Sequence, residues 1–255
     1  MSVDDRCTLK FTVLSLFPEM LAGYFASSIM GKAVERGIID YELVDIRNFA
    51  ADRHRTADDA PYGGGYGMVL KPEPLAAALD SVEAKAKRVV YASPAGRLFN
   101  QQIAAELSRE QELVLICGRY EGIDQRVIDL YVHDQLSIGD YVVSSGEIAS
   151  LVIVDAIYRL VAGVITAGSL QEESHNDSLL EYPHYTRPEV FRGHAVPDIL
   201  LSGHHGRIQE WRRWKQIERT ARVRPDLLDR AGIDERERDE LRKRYGGEHG
   251  SDQGN

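Results

Sequence analysis

Leu113-Val114-Leu115-Ile116-Cys117-Gly118-Arg119-Tyr120-Glu121-Gly122-Ile123-Asp124 joins an apolar, strand-like run to a glycine-punctuated turn. A second stretch repeats the pattern, Leu136-Ser137-Ile138-Gly139-Asp140-Tyr141-Val142-Val143-Ser144-Ser145-Gly146-Glu147. In each, a run that reads as a buried strand surfaces at a turn where backbone amides become available. In α/β folds that is where ligands bind. Glycine there lets the main chain approach a flat or charged ligand closely. One such turn would be an ordinary tight turn, but two of them, both carrying acidic residues and separated by about one short helix, mark a site.

Outward from these turns, strand and helix patterns alternate, which predicts an α/β domain with a mostly parallel sheet and helices on both faces. Leu9 to Leu16 reads as a buried first strand, and Pro18 starts a helix running from about Glu19 to Arg36, with Gly37 as its C-cap. Ile38 to Ile46 reads as a second strand. From Arg47 to Met68 no period survives, and a loop of that length in a compact domain is usually functional or disordered. Its run Gly63-Gly64-Gly65-Tyr66-Gly67 lacks the Gly-Lys-Ser/Thr of a P-loop, and no Gly-x-Gly-x-x-Gly follows a strand, which argues against a Rossmann cofactor site. A helix from Lys71 to about Lys87 and a strand from Arg88 to Ala92 follow, with Asn100 capping the next helix. Glu147 to Val161 is a helix apolar on nearly every side, hence buried in the domain or in a partner.

Composition and patterning divide the chain into a domain over 1–162, a flexible linker over 163–184, a small all-α domain over 185–245 and a disordered tail over 246–255. The 255 residues, 43% hydrophobic and 28% charged, have the balance of a soluble globular protein. No apolar run approaches the roughly 20 residues a bilayer span requires. The acidic Met1-Ser2-Val3-Asp4-Asp5 is no secretory signal, so a cytoplasmic location is expected. Cys7 and Cys117 form no Cys-x-x-Cys pair and read as reduced thiols. The net charge of −9 is unevenly spread, for Arg207, Arg212, Arg213, Lys215, Arg219, Arg222 and Arg224 face only Glu210 and Glu218 between Gly206 and Arg224. Such a local excess is an electrostatic footprint for phosphates. Trp211 and Trp214 lie on this basic helix; one or both can pack the small domain, Trp211 above all, and an aromatic among arginines also suits RNA stacking. His204 and His205 lack metal-ligand spacing, and no metal ligand is assigned.

The two glycine turns resemble the cofactor loops of the bacterial tRNA (guanine-N1)-methyltransferases, members of the knotted SPOUT superfamily that use S-adenosylmethionine. Phe17-Pro18-Glu19, Asp52-Arg53-His54-Arg55 running into Pro61-Tyr62-Gly63-Gly64-Gly65-Tyr66-Gly67-Met68, and Tyr182-Pro183-His184-Tyr185-Thr186-Arg187-Pro188-Glu189 agree with the same family. With Leu200-Leu201-Ser202-Gly203 and Arg224-Pro225-Asp226-Leu227-Leu228, the likeness spans roughly residues 9 to 230. It implies a trefoil-knotted methyltransferase domain, a helical tRNA-binding domain, and a homodimer whose active site is shared between subunits and in which the Glu147–Val161 helix packs on the partner.

The same resemblance implies methylation of N1 of the guanosine at position 37 of tRNA. The family's general base is an aspartate in a pattern like Ser-Ala-x-Glu-Asp-Ser, and the matching stretch here is Ser169-Leu170-Gln171-Glu172-Glu173-Ser174, which puts Glu173 in its place. Asp177 is the runner-up, and a solvated acidic linker is the plainer reading of Glu172 and Glu173. Arg159 matches the arginine that steadies the substrate guanosine; by spacing alone it pairs with Asp155, and the two roles are compatible. Cofactor contacts would come from Tyr91, Ser93, Pro94, Gly118, Glu121, Ile138, Gly139, Asp140, Tyr141, Val142, Val143 and Gly146, and tRNA contacts from Arg207, Trp211, Arg212, Arg219 and Arg224. The family's magnesium dependence leaves room for a bound ion. Relatives commonly read Ser-Gly-Gly-Glu where this chain has Ser144-Ser145-Gly146-Glu147, and proline at Tyr66. Glu173 and Ser145 together keep open a divergent enzyme acting on another RNA or a small molecule, and a non-catalytic RNA-binding protein is the third reading.

Overall fold

The computed structural model describes residues 9–165 and 178–245. The chain folds as two units, divided between residues 167 and 168. In the first, strands β1 (Leu9–Ser15), β2 (Ile39–Asp45), β5 (Arg88–Leu98), β6 (Glu112–Cys117) and β7 (Asp134–Ser137) form one sheet, and β3 (Asp58–Asp59) pairs with β4 (Val69–Leu70) as a separate hairpin. The large sheet has the order β2-β1-β6-β5-β7, and every neighbouring pair in it is parallel. This is the parallel α/β arrangement expected from the alternation of strands and helices.

Both sheet faces are covered, which is why the strands read as continuous apolar runs. On β6, Leu113, Leu115 and Cys117 enter one core, while Val114 and Ile116 enter the other. The first core is closed by α1 (Glu19–Phe25), α2 (Ser28–Glu35), α4 (Gln101–Leu107) and α6 (Gly146–Tyr158), through residues such as Phe25, Met30, Leu107 and Ile153. The second is closed by α3 (Pro72–Ser81) and α5 (Gln125–Tyr131), through Leu75, Leu79, Val127 and Tyr131.

Several elements differ from the sequence expectation for local reasons. The single helix expected from Glu19 to Arg36 is two, broken at Ala26 and Ser27, because the second folds back so closely that a Cβ on Gly31 would lie 2.8 Å from the Ala26 carbonyl. Gly37 does end α2, in the left-handed region at φ +66, its N–H donating to the Val34 carbonyl. Helix α3 stops at Ser81 rather than Lys87, since the chain turns through a left-handed Glu83 to seat Val82 and Ala84 in the core. Strand β5 runs on past Ala92 to Leu98, with a register shift against β7 that bulges Ser93 to Gly96 outward. Asn100 caps α4 as expected, accepting from the Ile103 N–H at 3.0 Å.

The second unit is built around Leu179, Ile217, Ala231 and Ile233, with Trp214, Leu228 and Leu241 packed against them. Its helices are Asp198–Leu201, His205–Val223, Pro225–Leu228 and Glu235–Tyr245. It is not purely helical, because Val190–Phe191 and His194–Ala195 form a small antiparallel hairpin. The turn between them uses positive φ at Arg192 and Gly193, the conformation that two-residue hairpins favour. The stretch 163–184, expected to be linker, has structured ends. Val164 packs on the first core, while Leu179 is buried in the second unit and the Leu180 N–H donates to Thr220 Oγ1 at 2.9 Å. Among the described residues, no helix is long and apolar enough to cross a membrane.

Asp134, at the start of β7, is buried and accepts hydrogen bonds from Arg88 Nε at 2.5 Å and Arg97 Nη2 at 2.6 Å. The two arginines flank the β5 bulge, so one carboxylate holds the irregular strand in register from both ends. Burial alone would raise the Asp134 pKa, but the hydrogen bonds and charges of the two arginines outweigh it and hold the carboxyl below the usual carboxylate range. A depressed native pKa contributes stability above the unfolded value that is lost as pH falls through the native one. Asp134→Asn should therefore lower stability by about 1–3 kcal/mol at neutral pH. In urea melts, that difference should shrink as pH drops below about 4.

Candidate active site

Three strand ends converge at the carboxyl edge of the large sheet. The β5 bulge at Ser93 and Pro94, the chain leaving β6 at Gly118 and β7 at Ile138, and the first turn of α6 line a cavity of about 310 Å³. That is the edge at which parallel α/β sheets bind ligands. Its volume lies at the lower end of small-molecule sites.

The two glycine turns touch one another directly. The Gly146 N–H donates to the Gly118 carbonyl at 2.9 Å, and a Cβ on Gly146 would lie 2.4 Å from the Gly118 nitrogen. At Gly118 itself, an added Cβ would meet the Tyr91 ring at 2.8 Å. Around the second turn, Gly139 adopts φ +154, Ser137 Oγ donates to its carbonyl at 3.0 Å, and the Tyr141 hydroxyl donates to the Ile138 carbonyl at 3.3 Å. The result is a wall of bare main chain backed by apolar side chains, including Leu136, Val143 and Ala149.

Beneath this wall lies a buried carboxylate. Glu147, only 1% exposed, accepts from Ser15 Oγ at 2.6 Å and lies 3.7 Å from Arg119 Nη1. The Arg119 guanidinium sits over the Phe17 ring at 4.8 Å and borders the cavity. Neither Glu147 nor Arg119 was among the residues expected at the site. Their signal was an acidic residue in the first turn of an otherwise apolar helix and a cation inside the first glycine turn. Burial raises the Tyr91 phenol and the Cys117 thiol above their ordinary values, which leaves Cys117, bonded to Ser150 Oγ at 3.3 Å, a protonated core residue.

Of the residues expected to contact a cofactor, Tyr91, Ser93, Pro94, Gly118, Glu121, Ile138, Tyr141, Val142, Val143 and Gly146 all line the cavity. Gly139 and Asp140 do not; Gly139 shapes the loop, since a Cβ there would lie 2.4 Å from the Tyr141 ring. Ser145 lines it too, buried at φ −154 and ψ 137 as the N-cap of α6. That extended backbone suits any residue, so the backbone at this position makes no demand for glycine. Glu173, with Glu172 and Asp177, lies outside the described residues. Arg159 ends α6 and lines a different hollow, with Tyr24, Val152 and Asp155. Asp155 accepts from the Tyr24 hydroxyl, and burial followed by that bond raises the Tyr24 pKa. The face of α6 carrying Ile148 and Val152 is half exposed, so the helix is not buried all round within its own unit.

In the second unit the basic helix His205–Val223 is amphipathic by function. Trp214 packs in the core, whereas Trp211, the better packing candidate by sequence, lies outside that cluster with its ring 6.4 Å from Tyr185. Arg212 stacks over Tyr182 at 4.8 Å, and Arg219 donates to the Glu181 carbonyl at 3.2 Å. Arg207 is exposed, while Arg224 is drawn into a two-pronged pair with Asp226 at 2.7 and 2.9 Å. Among the described residues, no group of three His, Cys, Asp or Glu side chains is placed to hold a metal ion.

A parallel sheet whose strand ends build a main-chain cradle has the architecture of α/β proteins that bind ligands at the carboxyl edge of the sheet. The sequence matches the family described as tRNA (Guanine-1)-methyltransferase TrmD over residues 9–230, and the chain belongs to that family. It is 60% identical over 223 residues to the tRNA (guanine-N(1)-)-methyltransferase of Treponema denticola, covering 88% of this chain and 92% of the relative. The enzyme of the same name from Borrelia turicatae is 56% identical over 221 residues, covering 86% and 92%. That of Geobacter metallireducens is 53% identical over 233 residues, covering 90% and 95%. The chain is accordingly a methyltransferase.

The contact between the two turns makes a sharp contrast between neighbours. Gly146→Ala should cost at least about 1–3 kcal/mol through overpacking against the Gly118 backbone. Ser145→Ala, which removes a buried hydroxyl that has no hydrogen-bond partner among the described residues, should be neutral or slightly stabilising in the same denaturation series.

Proposed function

We propose that the chain methylates N1 of guanosine 37 of tRNA, on the 3′ side of the anticodon, with S-adenosylmethionine as donor. It would do so as a homodimer of SPOUT-type, trefoil-knotted methyltransferase domains acting in the cytoplasm, each with a small C-terminal RNA-binding unit. The observation that carries the reading is the cavity lined by the Gly118 and Gly146 turns, in a chain that belongs to the family over residues 9–230.

The cavity fits this donor, because its bare main chain admits a flat heterocycle and offers backbone hydrogen-bonding groups at its edge. Tyr91, Ser93, Gly118, Ile138 and Val143 would hold it, with Gly139 and Asp140 shaping the loop. When bound, the donor supplies a methyl group on sulfonium sulfur, and the S–C bonding pair stays with sulfur as the methyl passes to N1.

Guanine N1 carries a proton at neutral pH, so its lone pair must be released as the methyl arrives. Glu173 is the base in this reading, accepting that proton, a role typically worth about 10²–10⁴-fold. Glutamate adds one methylene to the family's aspartate, and a shift of roughly an ångström can cost about 10²-fold, so the 166–177 stretch must place the longer side chain. Arg159 would stabilise the negative charge that develops on the guanine as the proton leaves. Its position away from the cavity of its own chain, beside the half-exposed Ile148 and Val152 of α6, supports a site completed by a second subunit. Arg207, Trp211, Arg212 and Arg219 would receive the tRNA, with Arg224 acting chiefly within its Asp226 pair.

Incubation with tRNA transcripts carrying or lacking guanosine at position 37, followed by mass mapping of the modified nucleoside, should give N1-methylguanosine only in the former. Glu173→Gln should lower turnover by about 10²-fold while calorimetry shows unchanged donor binding. Wild-type turnover in that variant would place the base elsewhere.

A further inference from the structure

Of the side chains that line the cavity, two carry charge, Arg119 and Glu121, and both come from the first glycine turn. The rest of the lining is main chain, small hydroxyls and apolar or aromatic side chains. An uncharged wall thus adjoins a single turn that offers one cation and one anion.

Arg119 has donors to spare. Its side chain is 26% exposed, and the nearest carboxyl oxygen, Glu147 Oε2, lies 3.7 Å from Nη1, beyond hydrogen-bond reach. An arginine that served only the fold at a strand end would spend its N–H groups on carboxylates or carbonyls. Among the described residues, the Arg119 guanidinium makes no hydrogen bond at all.

The guanidinium is nonetheless firmly placed. The Phe17 ring lies 4.8 Å from it, and Arg47 approaches the same ring at 5.8 Å, so two cations gather there. From beneath comes Glu147, 1% exposed in the first turn of α6, with its other oxygen accepting from Ser15 Oγ at 2.6 Å. A carboxylate at that distance holds the cation by charge while leaving its N–H groups available to a ligand.

We propose that Arg119 holds the α-carboxylate at the amino-acid end of the methyl donor, and that Glu147, anchored by Ser15, is the positioning residue that keeps Arg119 at the cavity wall. The inference rests on S-adenosylmethionine being the donor, as proposed above. An α-amino-acid end is a zwitterion, and two opposite charges on one turn match it. A guanidinium can fork onto a carboxylate through two parallel N–H bonds, while Glu121 would meet the α-ammonium. The uncharged wall is then left to the adenosine end.

The test uses the full-length protein, titrated calorimetrically with S-adenosylmethionine, with its decarboxylated analogue, and with 5′-methylthioadenosine, which lacks the amino-acid end altogether. Arg119→Gln should weaken S-adenosylmethionine binding about ten- to a hundredfold, the worth of hydrogen bonding to a charged group, and leave methylthioadenosine at wild-type affinity. Wild-type protein should bind the decarboxylated analogue less tightly than the donor, and Arg119→Gln should lose nothing further with that analogue. Arg119→Lys, which keeps the charge without the fork, should recover part of the loss. Glu147→Gln should weaken the donor by a smaller factor and again spare methylthioadenosine, a split that a merely structural role would not produce. Equal losses for donor and methylthioadenosine in the Arg119 or Glu147 variants would overturn the proposal. So would unchanged donor affinity in Arg119→Gln, or a loss of RNA affinity by fluorescence anisotropy in that variant with donor affinity intact. Wild-type protein that failed to bind S-adenosylmethionine would overturn the donor reading itself, which the other outcomes leave standing.

Discussion

Two stretches of main chain meet at Gly118 and Gly146 with no side chain between them, and the first unit is arranged around that meeting. The 2.9 Å hydrogen bond from Gly146 to Gly118 ties the end of β6 to the start of α6, so the central strand and the most apolar helix share one fixed point. One residue on, Glu147 reaches Ser15 at the end of β1, which extends the tie to a third element. Ser15 holds one oxygen of this buried side chain, while the other, without a hydrogen-bond partner among the described residues, lies 3.7 Å from Arg119 Nη1. Arg119 is in turn braced by the Phe17 ring. The cavity's shape therefore follows from backbone contact, and its charge from a short relay of side chains beneath it.

A second constraint governs the cavity's other wall. Strand β5 has to leave the regular ladder after Ala92 and rejoin it at Arg97, and Gly96 allows this because a Cβ there would lie 2.5 Å from the Gln135 carbonyl. Arg88 and Arg97 both hold Asp134, so the bulge is clamped on either side of its irregular residues. Ser93 accepts from Gln135 Nε2 at 3.0 Å inside the bulge, which fixes its hydroxyl against β7. Irregular backbone at a ligand edge is in this way stabilised by charge and hydrogen bonding rather than by apolar packing.

The two units carry different kinds of chemistry. The first offers main chain and buried apolar surface, as suits a small flat ligand. The second offers arginines around aromatic rings, in contacts such as Arg212 over Tyr182, which suit an anionic polymer. In the proposed reaction the guanosine-steadying Arg159 lies outside the cavity that a single chain builds. The half-exposed apolar face of α6 is consistent with that division.

Much of this was legible in the residues alone. Apolar runs without alternation, Leu113 to Cys117 above all, required a strand buried on both faces, and glycines at 118, 122, 139 and 146 marked where the chain had to come close to something. Of the residues that the family pattern assigned to the cofactor, all but Gly139 and Asp140 line the cavity, while others that line it, Arg119 among them, were not assigned. Long-range packing decided the rest. Whether Trp211 or Trp214 enters the core depends on which helix face meets Leu179 and Ile233, and no local period fixes that. The length of β5 arises from its pairing with β7, distant in the chain, whereas the break at Ala26 and the early end of α3 follow from close backbone turns nearby. Ser145, where relatives commonly have glycine, lies in an extended conformation open to any side chain. Sequence by itself determined which segments are strands, turns and cations, because those follow from composition and period. Only the tertiary structure decided which glycines are indispensable, because that depends on what the missing Cβ would have struck.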